Sequence, residues 1–370
     1  MKSTPLGYYL FLLSVVFLSN CQEDTIIGPT EPTTCESTAI ESDVLTDLAM
    51  DLTHLFTSSA PDAVDTGLDP LIEYLGNTPF VGLGEATHGT AEFYAMKDKI
   101  FRRLVEEKGF KAIIFEIPWG NALVVNDYVL NGIGELDAVV DQTYYWTYDT
   151  EEVRTLVEWM HNYNIGRPEG EKIHFVGNDP QGGNFSEEIQ RVRQYLEAVT
   201  PDSSSLLRNY DQLPLSNLSA YASESAERHQ ANRTGTQAVV NYFEENAAGF
   251  TELTGASAYE VAYMAAHLIQ QREYIYRTSG NGVPRDSLMA VYSEWWQRIF
   301  GAESKVAIWA HNNHVMDATS TGAEWMGTFL KRRWSEQYKN VGFSFGRGSF
   351  NAFLANRSGG FQGPVQRQIV

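Results

Sequence analysis

Phe80-Val81-Gly82-Leu83-Gly84-Glu85-Ala86-Thr87-His88-Gly89 decides how this chain is read. An apolar run at 80–84 ends abruptly in a polar loop held between two glycines. The run is the right length for a buried strand, and the polar residues begin only where it stops. Downstream, Phe93, Met96, Ile100 and Leu104 recur at helical spacing, which predicts a helix over about 90–108 that Gly109 ends. A second apolar run follows at 112–117. Strand, helix and strand in succession predict a parallel sheet covered by helices on both faces.

The pattern repeats along the chain. Apolar or aromatic runs at 173–177, 305–310 and 341–345 predict three more strands. Val153, Leu156, Val157 and Met160 form a helical stripe over about 150–163, with Glu151 and Glu152 in the first turn, where the helix dipole favours acids. Residues from about 185 to 300 carry long helical patterns and no strand pattern. They read as a helical insertion packed over the sheet. The expected fold class is therefore α/β, with a mostly parallel sheet flanked by helices and a helical insertion subdomain.

Polar residues cluster after each apolar run. Glu85 and His88 follow the first, Glu116 ends the second, Asn178-Asp179 end the third, and His311 and His314 follow the fourth. Ligands of open parallel sheets bind beyond the carboxyl ends of the strands. These residues are therefore expected along one edge, Asp179 as a substrate-binding group or the turn residue of an Asp-Pro pair. Ester hydrolysis needs a base for water and charge stabilisation for the oxyanion. A histidine suits the base role, and a carboxylate on its far nitrogen would fix its tautomer. Glu85 or Glu116 could do this for His88. His311 or His314 could donate to the oxyanion or to the leaving alcohol. Lys97, on the following helix, either reaches back to the site or solvates the helix face. Gly342-Phe343-Ser344-Phe345-Gly346 matches the nucleophile-elbow pattern, but Ser344 lies inside a strand-like run with no helix after it, so it reads as coincidence.

Composition excludes other classes. The net charge of −20 with no compensating basic run speaks against a nucleic-acid partner. Two cysteines, Cys21 and Cys35, build neither a disulfide framework nor a cysteine zinc site. Residues 1–20 read as a secretory signal: Lys2, then an apolar stretch too short to span a membrane. Leu18-Ser19-Asn20-Cys21 resembles a lipobox, which predicts lipidation of Cys21 and a lipid-anchored place in a bacterial cell envelope, with membrane contact through the anchor alone. Residues 21–43, rich in Thr, Pro, Ser and Glu, read as a flexible tether, and 44–370 as the folded domain.

In combination, Gly84-Glu85-Ala86-Thr87-His88-Gly89, Lys97, Phe115-Glu116 and Trp309-Ala310-His311-Asn312-Asn313-His314 resemble the erythromycin esterase family, to which succinoglycan-biosynthesis-like proteins also belong. The similarity runs from about residue 44 to the C-terminus. It implies an α/β fold with a helical subdomain over a deep cleft, a small-molecule ester substrate, and hydrolysis of a macrolide lactone by activated water without metal or other cofactor. His88 falls on the family's general base and Glu85 on the acid beside it. Glu116, His311 and His314 fall on the remaining catalytic positions. Two departures stand out. Lys97 replaces the family's arginine, exchanging a bidentate fork for a point charge in a substrate-binding role. The family also continues with further helices beyond Gly346-Arg347-Gly348, so the resemblance implies an early C-terminus. The same donors, Glu85, His88, Glu116, His311 and His314, could instead ligate Zn²⁺ or Mn²⁺, as in the metal-dependent Tiki-type proteases of the wider superfamily. A non-catalytic haem- or small-molecule-binding envelope lipoprotein is the reading from outside enzymes.

Overall fold

A computed structural model describes residues 58–182, 185–200, 203–211, 213, 218–278, 285–320, 322–345, 348–355 and 361–369. All of them belong to the unit His54–Val370. The residues read as signal and tether, with Cys21 and Cys35, lie outside the described residues. Among the described residues no helix is long and apolar enough to cross a membrane.

Five parallel strands form the central sheet: β1 (Phe80–Leu83), β2 (Ala112–Pro118), β3 (His174–Asp179), β4 (Val306–Trp309) and β5 (Tyr338–Val341), in the order β3-β2-β4-β1-β5. β4 returns between β1 and β2, so the chain reverses direction there and opens a crevice at the carboxyl ends. Register aligns those ends. Leu83 pairs with Trp309, Trp309 with Phe115, and Phe115 with Gly177. The residues just beyond, Glu85, His311, Glu116 and Asp179, therefore fall in one row.

The sheet is buried on both faces, as its near-continuous apolar strands require. Val81, Leu83, Ile113, Phe115, Ile117, Phe175, Ala307 and Trp309 point into one core. There they meet helices α1 (Ala91–Lys108), α2 (Trp119–Asn131) and α3 (Glu151–Asn164). Phe80, Ala112, Ile114, Val176, Val306 and Ile308 alternate to the opposite core. That face is covered by α4 (Ser186–Val199), α5 (Ala226–Glu245), α6 (Ala256–Arg277) and α7 (Arg285–Phe300). The helical segment thus supplies the second layer of the sandwich. A buried ion pair bolts it to the site edge: Arg272 on α6 meets Glu188 on α4 at 2.9 Å and donates from Nε to the Pro180 carbonyl, while Glu188 accepts from the Gly120 N–H.

The structure shifts one expected strand. The run 341–345 was expected to be the fifth strand, but the ladder uses Tyr338–Val341 and stops. An edge strand pairs on one side only and needs no unbroken apolar run, so the mixed Tyr-Lys-Asn-Val carries no strand signal. Phe343 and Phe345 instead pack their rings on Phe93 of α1. Ser344 lies in that irregular stretch, exposed, and the next element is a strand. A separate antiparallel hairpin, β6 (Gly348–Ala355) with β7 (Phe361–Ile369), follows where the sequence showed no pattern.

Candidate active site

The loop after β1 carries the first half of the site. Gly89 ends it under a close crossing: Asn351 of β6 donates its N–H to the Gly89 carbonyl, and a Cβ on Gly89 would lie 1.9 Å from the Asn351 oxygen. Only glycine lets the hairpin rest on the loop there. Within the loop, Glu85 is fully buried and its two oxygens are divided. Oε1 lies 2.8 Å from His88 Nδ1, and Oε2 pairs with the Lys97 ammonium. A carboxylate only accepts, so the bond fixes the proton on Nδ1 and leaves Nε2 as the free lone pair. The His88 side chain is 35% exposed.

Lys97 reaches the site from α1 and is wholly buried. It also donates to the Ala310 carbonyl at 3.3 Å and lies 4.6 Å over the Trp309 ring. Burial depresses its pKa to about 8 although Glu85 opposes the shift. Of the two positions the sequence allowed for this lysine, the structure takes the one inside the site.

Glu116, at the end of β2, connects the two halves. Its Oε2 accepts from the His311 backbone N–H at 2.9 Å, and its Oε1 lies 3.0 Å from Arg285 Nη2 and 3.1 Å from His314 Nε2. Burial alone would raise this carboxyl, but the hydrogen bond to His314 and the charges of His314 and Arg285 hold it well below the usual range. Asp179, fully buried, takes Arg285 as a fork, Nε at 2.9 Å and Nη2 at 2.6 Å. It also accepts from the Tyr145 hydroxyl and, as a turn residue, from the Gln181 N–H. The turn reading of Asp179 therefore holds, and its second oxygen is taken up by Tyr145 and Arg285 at the site edge.

His314 bonds Asp286 through Nδ1 at 2.6 Å. Burial disfavours its charged form, yet the hydrogen bonds to Asp286 and Glu116 prevail and lift its pKa to about 9. It is an imidazolium at neutral pH. An imidazolium nitrogen can only donate, so Glu116 is the acceptor for Nε2–H, and Arg285 Nη1, 3.0 Å away, is a second donor turned to the same space. His311 is spent differently. Its Nε2–H donates to the Ala86 carbonyl and its Nδ1 accepts from the Asn313 N–H. Both ring nitrogens hold backbone, and burial, then the neighbouring His88, keep its pKa low. Its ring stands 5.2 Å from that of His88.

The structure thus gathers Glu85, His88, Lys97, Glu116, Asp179, His311 and His314 at one edge of the sheet. Sequence reading missed Arg285, Asp286, Tyr145 and Tyr148. Arg285 and Asp286 open α7 far along the chain, and no local pattern connects them to the strand ends. Tyr148 packs edge-on to His88. Among the described residues no group of three or more His, Cys, Asp or Glu is arranged to hold a metal ion. The donor chemistry gives the reason: protein cations already occupy Glu85, Glu116 and Asp179.

A histidine–carboxylate pair at the crevice of a doubly covered parallel sheet, backed by a lysine and faced by an arginine–imidazolium pair, suits hydrolysis by general-base catalysis. The family profile described as Erythromycin esterase matches residues 105–370, and the chain belongs to that family. It is 24% identical over 314 residues to Erythromycin esterase type II of Escherichia coli, covering 78% of this chain and 74% of that one. In three dimensions it is similar to a succinoglycan biosynthesis protein, with a TM-score of 0.74 and 24% identity over 90% of this chain and 82% of that one. A mutant of the erythromycin esterase EreC in its open conformation gives 0.67 and 19%, over 84% and 81%. The family places the chain among hydrolases of the esterase kind.

Proposed function

We propose that this protein hydrolyses a carboxylic ester, a macrolide-type lactone among the substrates to be tested, with water activated by His88. The observation that carries the reading is the Glu85–His88 bond of 2.8 Å, which leaves the other imidazole nitrogen free beside the cleft. His88 Nε2 takes a proton from water as the water attacks the ester carbon. Glu85 holds the tautomer and stabilises the imidazolium that forms, and Lys97 keeps Glu85 in place. Arg285 Nη1 and the His314 imidazolium offer charge to the developing oxyanion. His311 positions the His88 loop through the Ala86 carbonyl and moves no proton. Glu116 and Asp179 orient the two cations. The leaving alcohol is protonated by His88 as it returns to the neutral form.

The test is mass spectrometry of products from a panel of macrolides and simple esters, run with and without a chelator. The reading expects a ring-opened or cleaved product heavier by one water, in equal yield with chelator present. Activity lost in chelator and restored by Zn²⁺ or Mn²⁺ would replace it with metal-assisted hydrolysis. No turnover of any ester, with a Soret band on adding haem, would replace it with a binding protein.

A further inference from the structure

Between α2 and α3 the chain runs through Thr143-Tyr144-Tyr145-Trp146-Thr147-Tyr148, and Tyr144 has φ 77° and ψ −40°. A bulky side chain rarely adopts positive φ, and this combination lies toward the strained γ-turn region. Burial does not compensate, because Tyr144 is 53% exposed. The residues that follow it are anchored at the site. Tyr145 bonds Asp179 and packs its ring against Tyr144 at 4.9 Å, and Tyr148 is buried against His88. The Tyr144 ring passes so close to Gly182, three residues beyond Asp179, that a Cβ there would lie 2.9 Å from Cε1. Tyr276 of α6 bonds the backbone of the same glycine. Tyr144, Tyr145 and Tyr276 thus border the Arg285–Asp179 side of the crevice, and the exposed one, Tyr144, sits on strained backbone. Strain of this kind persists where function requires it.

We propose that Tyr144 determines specificity: its exposed ring is the shelf on which a saturated ring of the ester substrate rests, beside the Arg285–Asp179 fork. The shelf rests on the hydrolase reading above, which it deepens by selecting ring-bearing esters over open-chain ones. Stacking a CH-rich ring on tyrosine needs area and flatness and no hydrogen bond, so the phenyl ring suffices without its hydroxyl.

The experiment measures equilibrium binding of erythromycin and of ethyl butyrate to His88→Gln protein, so that turnover does not intervene, in the Tyr144, Tyr144→Phe, Tyr144→Ala and Tyr144→Gly backgrounds. Erythromycin should bind at least ~10-fold more tightly than ethyl butyrate with tyrosine or phenylalanine at 144. That preference should vanish with alanine or glycine. Tyr144→Gly should also raise the melting temperature, because glycine relieves the positive φ. No preference with tyrosine present, a preference that survives Tyr144→Ala, or a lower melting temperature in Tyr144→Gly with the preference intact would overturn the shelf. If the preference behaves as expected but protein with His88 intact cleaves no ester, the hydrolase reading fails and the shelf stands.

Discussion

Raising the pH from 6.5 to 8 should weaken the fold, and His314 should be the cause. Its pKa is lifted from 6.5 to about 9. The folded protein thus keeps a proton that the unfolded chain releases near 6.5. Stability from a raised pKa is fully present below the unfolded value and is lost as pH rises toward the folded one. At ~1.4 kcal/mol per pH unit the whole window is worth about 3 kcal/mol, and the stretch from 6.5 to 8 about 2 kcal/mol. The side chain is 11% exposed, so solvent screens the effect little. Above 8 Lys97 acts in the opposite sense. Its pKa is lowered to about 8, so deprotonating it favours the folded state, and the decline should flatten between 8 and 9. Urea unfolding of the wild type and of His314→Gln at half-unit pH steps provides the assay. The wild type should lose about 2 kcal/mol from 6.5 to 8, and the variant should be nearly flat there. A wild type equally stable at both ends, or an unchanged slope in His314→Gln, would refute the protonated His314 bridging Asp286 and Glu116.

Three further perturbations separate the remaining contributions. Lys97→Met leaves Glu85 buried without its cation and should cost about 3–5 kcal/mol by thermal or urea unfolding, whereas Lys97→Arg keeps the charge and should lose less than half of that. Gly89→Ala drives a methyl into the Asn351 carbonyl and should lower kcat at least ~10-fold by displacing the His88 loop, read by steady-state kinetics against a helical circular-dichroism signal that stays the same. We also propose envelope anchoring through Cys21. In membrane fractionation Cys21→Ser should move the protein to the soluble fraction, and a wild type already soluble and free of lipid would refute the anchor.

The site was legible because β1 to β4 each end in a short polar signature, and parallel strands in register must bring those signatures to one edge. Glu85, His88, Glu116, Asp179, His311 and His314 followed from that alone. Position did not reveal occupation. His311 and His314 read alike in the sequence, yet one holds backbone at both nitrogens and the other bridges two carboxylates. That difference is made by Asp286 and Arg285 at the start of α7, brought in by tertiary packing at a separation of 28 residues from His314 in one case and 106 from Asp179 in the other. The edge strand β5 and the β6–β7 hairpin escaped for a related reason. Only Tyr338 of the four β5 residues is buried, which imposes no apolar pattern, and the hairpin lies outside the main sheet.

The central claim is that His88 Nε2 takes the proton of the attacking water. It is tested most directly by kcat/KM of His88→Gln on whichever ester the wild type cleaves, with the urea midpoint measured alongside. His88 is partly exposed and bonded only to Glu85 among the described residues, so the variant should fold with a midpoint close to wild type while kcat/KM falls ~10²–10⁴-fold. A folded His88→Gln protein that retains activity within tenfold of wild type would contradict the account.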